Sequence, residues 1–168
     1  MNKLILISGQ PGAGKTSVSR QLLSELSNTA YIESDSLITV NPFEMNERLN
    51  TLLLKNSVSL LNNYIFEGYQ NIIICGLVKN QETLDSLVIL LPENIEITLI
   101  WLRADKEIRK SRKQERGRDE ADSSKWLDFV DALIPDIDSF RLEKGRYLSI
   151  NTEEISITEV CSRIKTIL

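Results

Sequence analysis

Short, nearly continuous apolar runs recur along the chain at Leu4 to Ile7, Tyr31 to Ile32, Ile72 to Cys75, Ile97 to Leu102 and Tyr147 to Ile150. That pattern is expected of strands covered on both faces. Between them the apolar residues repeat at intervals of three and four. The first such set is Val18, Leu22, Leu23 and Leu26; a longer one runs from Leu49 to Ile65; a third is Leu84, Leu87, Val88 and Leu91. The spacing predicts helices with one buried face. A further helix is expected through Trp126, Leu127, Val130 and Ile134, capped by Ser123 or Ser124 and ended by Pro135. The last carries Ile157, Val160, Cys161 and Ile164, with Ser156 or Thr158 near its start. Strand and helix alternate over the whole length, which predicts an α/β fold in which right-handed crossovers put helices on both faces of a parallel sheet. No repeat or linker interrupts it, and residues 1–168 are expected to form one domain.

Composition narrows the function. Apolar residues make up 42% and charged residues 26% of the 168, the balance of a globular chain. No apolar run approaches the roughly 20 residues of a membrane helix. The first strand follows Met1 directly and leaves no room for a signal peptide, so a cytoplasmic location is expected. A net charge of -4 argues against a broad nucleic-acid surface and favours a small-molecule partner, with monomer and homodimer both open. Cys75 and Cys161 lie far apart in apolar surroundings and are expected to be reduced and buried. The chain has no histidine, so any general base must be a carboxylate, Lys, Tyr or Cys.

Residues 8 to 17, SGQPGAGKTS, match the pattern G-x-x-x-x-G-K-[ST] through Gly9, Gly14, Lys15 and Thr16, between a strand and a helix as the mechanism requires. Backbone wrapping by Gly9, Gln10, Pro11, Gly12, Ala13 and Gly14 would turn N–H groups toward a phosphate chain, and the helix opening through Ser17 adds the positive end of its dipole. Lys15 would reach the β- and γ-phosphates, and the Thr16 hydroxyl would hold Mg²⁺. ATP and Mg²⁺ are therefore the expected cofactors. The chain has neither the N-K-x-D nor the D-x-x-G motif of a GTPase, and it is small for a transporter ATPase or helicase core. A small kinase-like domain remains.

Two further features suit such a domain. In YIESDSLI, Asp35 falls just past the second strand, where ligands of open parallel sheets bind, and could take a proton from an attacking hydroxyl or hold a metal-bound water. Its alternative is an N-cap, and Glu33 reads as a solvated strand-end carboxylate. In KEIRKSRKQERGRDEADSS, Arg109, Arg112 and Arg116 share one helix face, with Gly117 and Arg118 beyond. Guanidinium groups grip phosphate in bidentate fashion and stack on bases, so the segment of about 109–124 is expected to be a lid.

These segments, with NIIICG, WLRAD and YLSINT, resemble the small P-loop kinases that include shikimate kinase, gluconate kinase and nucleoside monophosphate kinases, and most of all the chloramphenicol phosphotransferase-like group. The resemblance implies a five-stranded sheet of order 2-3-1-4-5 with MgATP as donor. It implies Lys15, Asp35 and Arg116 as catalytic residues, Arg112 near the adenine, and the backbone at Asn151 and Thr152 beside the base. Substrate-binding helices are implied over about 41–69, and Thr16 with Asp35 would manage the metal. Where the family pattern has Asp at the end of the third strand this chain has Cys75, a poor Mg²⁺ ligand, followed by Gly76, as in the shikimate-kinase arrangement.

The leading expectation is an ATP-dependent phosphotransferase acting on a hydroxyl of a small molecule. A nucleoside or nucleotide kinase is the alternative, weakened because Arg48 is the only arginine between Arg20 and Arg103. An ATP-binding regulatory module with slow hydrolysis and a polynucleotide-end kinase complete the set.

Overall fold

A computed structural model describes residues 1–115 and 123–168 of the chain. Five strands form one parallel sheet: β1 (Asn2–Gly9), β2 (Thr29–Glu33), β3 (Asn71–Cys75), β4 (Ile95–Arg103) and β5 (Arg146–Asn151). Their spatial order is β2-β3-β1-β4-β5, as the sequence predicts. The central strand β1 pairs with β3 from Lys3↔Asn71 to Ile7↔Cys75 and with β4 from Asn2↔Ile95 to Gly9↔Leu102. The carboxyl ends of β1, β3 and β4 are thereby brought level, and β2 adds Glu33 beside Cys75.

Alternate residues of β1 feed two cores. Leu4 and Leu6 join Ile72, Ile74, Leu99 and Trp101 under α2 (Glu47–Phe66) and α3 (Gln81–Leu90). Ile5 and Ile7 join Ile73, Ile100 and Leu102 under α1 (Lys15–Glu25) and α6 (Ile157–Lys165). Burying one such side chain contributes about 1.5–3 kcal/mol, so both faces of the sheet must be covered. α4 (Lys106–Glu115) and α5 (Ser123–Leu133) follow β4.

Local chemistry sets the helix starts. The side chains of Asn46, Asn80 and Ser156 accept from the backbone N–H groups of Leu49 (3.0 Å), Thr83 (2.8 Å) and Glu159 (3.1 Å). The region expected to hold several substrate-binding helices contains a single long one, α2. Asn46 caps it, and the stretch before it, which includes Pro42, is not helical. No described helix is long and apolar enough to cross a membrane.

Candidate active site

The turn between β1 and α1 is wedged against its neighbours. Gly12 has φ +85°, and a Cβ there would lie 2.7 Å from the Arg109 carbonyl oxygen and 2.8 Å from its Cβ, so no side chain fits. Ala13 N–H donates to the Gln10 carbonyl at 3.2 Å to close the loop. Lys15 Nζ donates to the same carbonyl at 3.1 Å. Burial lowers the Lys15 pKa, while Cys75, Asp35 and Glu33 act to raise it. Cys75 is itself pushed up to about 11, first by burial and then by the Glu33 charge. Lys15 thus faces the Asp35 and Glu33 carboxylates beside a thiol held neutral.

Of the segment expected to be a lid, Arg109 is buried rather than set on an open face. It is only 3% exposed, and its guanidinium bonds Asp131 of α5 at two points while donating to the carbonyls of Ala104 (3.0 Å) and Pro11 (3.1 Å). Arg109 thus packs beneath the loop, between it and α5. Gln10 adds a bond from its side-chain amide to the Ile134 carbonyl at 3.1 Å. Arg116, Gly117 and Arg118 lie outside the described residues.

Two pockets flank the loop. The smaller, about 390 Å³, is lined by Ala13, Gly14, Ser17, Arg112, Thr152 and Ile155 among others. Arg112 donates to the Thr152 hydroxyl (2.9 Å) and carbonyl (2.6 Å), and that hydroxyl lies 3.2 Å from the Ala13 carbonyl. Asn151 is not brought to this pocket. It lines a separate one with Arg103 and Asp136, and its side chain accepts from the Glu153 N–H at 2.9 Å. Of the two residues expected beside the base, the pocket is lined by Thr152 and not by Asn151.

The larger pocket, about 510 Å³, joins Gly9, Pro11, Gly12, Gly14, Lys15 and Thr16 to Glu33, Ser34, Asp35 and Gly76. Asp35 sits in a single 3-10 turn, Ser34–Ser36, and is exposed. Its carboxylate has no hydrogen-bond partner among the described residues, so it is not spent as a helix cap. Ser34 is 1% exposed, and its hydroxyl also lacks a partner among the described residues. A Cβ on Gly76 would meet that hydroxyl at 3.1 Å and Lys15 Cε at 3.9 Å, so glycine keeps this corner open.

Glu33 carries more than its sequence position suggested. It stands in register with Cys75 on the adjacent strand and accepts a hydrogen bond from the Tyr31 hydroxyl. Burial and that bond push the Tyr31 phenol well above its usual range, so it donates rather than ionises. The carboxylate absent from the end of β3 is therefore matched by one on β2. Thr16 Oγ1 lies 4.0 Å from Cys75 Sγ. Among the described residues no group of three or more Asp, Glu, Cys or His forms a metal cage. Mg²⁺ does not require one, since it is commonly held through one or two carboxylates and substrate phosphates. The Thr16 and unpartnered Ser34 hydroxyls, with two carboxylates in the same pocket, are a hard-oxygen set that fits it.

A family model described as an AAA domain matches residues 5–134. The chain belongs to the AAA domain family. Comparison with curated protein sequences gives no match. Among solved structures, this AAA domain is similar to a sugar kinase from a Janibacter species, with TM-score 0.77 and 14% identity over 99% of this chain and 94% of that one. A gluconokinase from Sinorhizobium meliloti gives TM-score 0.69 and 13% identity over 96% and 87%. Kti12 from Chaetomium thermophilum, in complex with ADP-AlF3, gives 0.64 and 16% over 98% of each. At such identities the likeness carries the fold. The AAA domain has the P-loop NTPase fold, with the sheet order that the sequence implies.

Proposed function

We propose that this protein transfers the γ-phosphate of ATP to a hydroxyl group of a small molecule. The observation that carries the proposal is the Asp35 carboxylate, which has no hydrogen-bond partner among the described residues and lies in the same pocket as Lys15 and Thr16. The acceptor oxygen forms a bond to the γ-phosphorus, the bond to the β,γ-bridging oxygen breaks, ADP leaves, and the acceptor proton passes to Asp35. Lys15 and the loop N–H groups stabilise the charge that moves onto phosphate oxygens. The base of ATP occupies the pocket at Arg112 and Thr152, on the other flank of the loop. Thr16, with Glu33 and Asp35 through water, would hold Mg²⁺, which neutralises phosphate charge when bound. The kinase neighbours support transfer to a small molecule in general terms. A nucleotide kinase is less well supported, because Arg48 lines a groove separate from the acceptor pocket.

The test is acceptor-dependent ADP release from the full chain, with Lys15→Ala and Asp35→Asn as controls. Loss of turnover in Lys15→Ala and loss of acceptor stimulation in Asp35→Asn are expected. ADP release that ignores both the acceptor and Asp35→Asn would instead favour a regulatory ATP-binding module.

A further inference from the structure

We infer that the acceptor is an uncharged alcohol with an apolar body, rather than a polyol, a sugar acid or a phosphomonoester; this rests on the larger pocket being the acceptor site of a phosphotransferase. Its lining divides by element. Most polar groups come from the phosphate loop and the carboxyl end of β2, whereas the 38–46 segment, α2, α5 and the residue after it contribute Phe43, Met45, Leu49, Leu53, Phe129 and Ile134, with Asn50 of α2 and Lys79 as the polar side chains outside those two elements. A polyol would lose hydration against such walls and find only Asn50 and Lys79 there to replace it.

Charge points the same way. The described lining residues include no arginine, and their cations, Lys15 and Lys79, face an equal number of carboxylates, Glu33 and Asp35. Lys15 is held to the Gln10 carbonyl within the phosphate loop. That leaves Lys79 as a single point charge, without the guanidinium fork that suits a carboxylate or phosphate. An anionic acceptor would also have to bring its charge toward the two carboxylates beside the reacting hydroxyl.

Exposure supplies a separate observation. Phe43 and Phe129 come from segments far apart in sequence, both line this pocket, and they are 63% and 57% exposed. Aromatic rings left in water at the wall of a cavity gain most from a ligand that covers them. A hydroxyl at the Asp35 end with hydrocarbon against these rings satisfies both kinds of lining.

The experiment measures kcat/KM for the full chain with MgATP and a series of 1,2-alkanediols from propanediol to octanediol, together with 3-phenylpropane-1,2-diol, glucose, gluconate and AMP. The expected result is a rise of roughly fourfold for each added methylene until the cavity is filled. The phenyl diol should exceed glucose, gluconate and AMP, and Phe129→Ala should flatten the rise with chain length. A flat diol series, or preferred use of glucose, gluconate or AMP, overturns the inference while leaving phosphotransfer in place. If no acceptor raises ADP release above the Lys15→Ala background, the phosphotransferase proposal fails and takes this inference with it.

Discussion

The Arg109 guanidinium meets the Asp131 carboxylate at two points, Nη1 to Oδ1 at 2.9 Å and Nη2 to Oδ2 at 2.7 Å. Because Nη1 also donates to the Pro11 carbonyl, one side chain ties α5 to the loop between β1 and α1. Asp131 is 17% exposed, so removal of its partner strands a largely buried charge. Arg109→Met is expected to cost about 3–5 kcal/mol in urea denaturation and to weaken nucleotide binding. Arg109→Lys should recover little, because a lysine cannot reproduce the fork. The double variant Arg109→Met with Asp131→Leu should regain part of the stability but not the nucleotide affinity. Recovery of both would show the pair to be a structural tie without influence on the loop.

Lys15 links function to instability. Its native pKa lies below the usual 10.5 because burial disfavours the ammonium. Between the native value and 10.5 the unfolded chain binds more protons, so stability rises with pH across that window, and the full cost is present below it. Lys15→Met should therefore raise the unfolding midpoint of the nucleotide-free protein near neutral pH. The advantage should shrink as pH approaches 10.5, and turnover should be abolished throughout. Equal midpoints for the two proteins at pH 7 would show that the burial cost is already offset in the native state.

What could be read from the sequence was local. Gly9, Gly14, Lys15 and Thr16 lie on one turn and line one pocket, and the Leu4 to Ile7 run sits in a strand buried on both faces, so both features survive translation into three dimensions. Periodicity placed Arg109 and Arg112 on one helix face but could not say what faced it. Asp131, which decides the role of Arg109, lies 22 residues away. Asn151 and Thr152 are both expected beside the base, but spacing alone could not tell that they line different pockets. Glu33 gained its significance from Cys75, a neighbour only once β2 pairs with β3. Phe43 precedes a helix in a segment without periodicity, and Phe129 lies in an amphipathic helix where an apolar residue reads as core. Neither could be recognised as pocket lining before the fold brought them together.

Gly12 offers a test of loop geometry independent of charge. Gly12→Ala must place a methyl group against the Arg109 backbone at a φ of +85°. The strain is worth about 1–3 kcal/mol, and relief requires α4 and the loop to separate. The expected outcome is a lower unfolding midpoint together with loss of nucleotide binding in a fluorescent ATP-analogue titration. Gly14→Ala is a useful contrast, since its φ of +101° is also strained but no atom lies within 4 Å of the added carbon. It should leave the packing of α4 intact, so its loss of stability should be the smaller of the two.

Glu33 and Asp35 lie two residues apart in one pocket, and the proposed chemistry gives them separable roles. Asp35 faces the acceptor, so Asp35→Asn should lower acceptor-dependent turnover by about 10²- to 10⁴-fold while nucleotide affinity is retained. Glu33 stands beside Cys75 and acts on the metal-binding side, so Glu33→Gln should raise the Mg²⁺ concentration for half-maximal turnover about tenfold. Gln keeps an oxygen for the Tyr31 hydroxyl, which limits the structural damage. A second readout does not depend on activity: the Glu33 charge helps hold the Cys75 thiol at about 11. Thiolate absorbance in a Cys161→Ala background should then titrate at lower pH in Glu33→Gln than in the parent, with no comparable change in Asp35→Asn. A downward Cys75 shift without a change in Mg²⁺ dependence would leave Glu33 as a structural neighbour and return the metal to Thr16 and Asp35. The same Mg²⁺ shift in both variants would mean that the two carboxylates share the metal and that proton transfer is not the special task of Asp35.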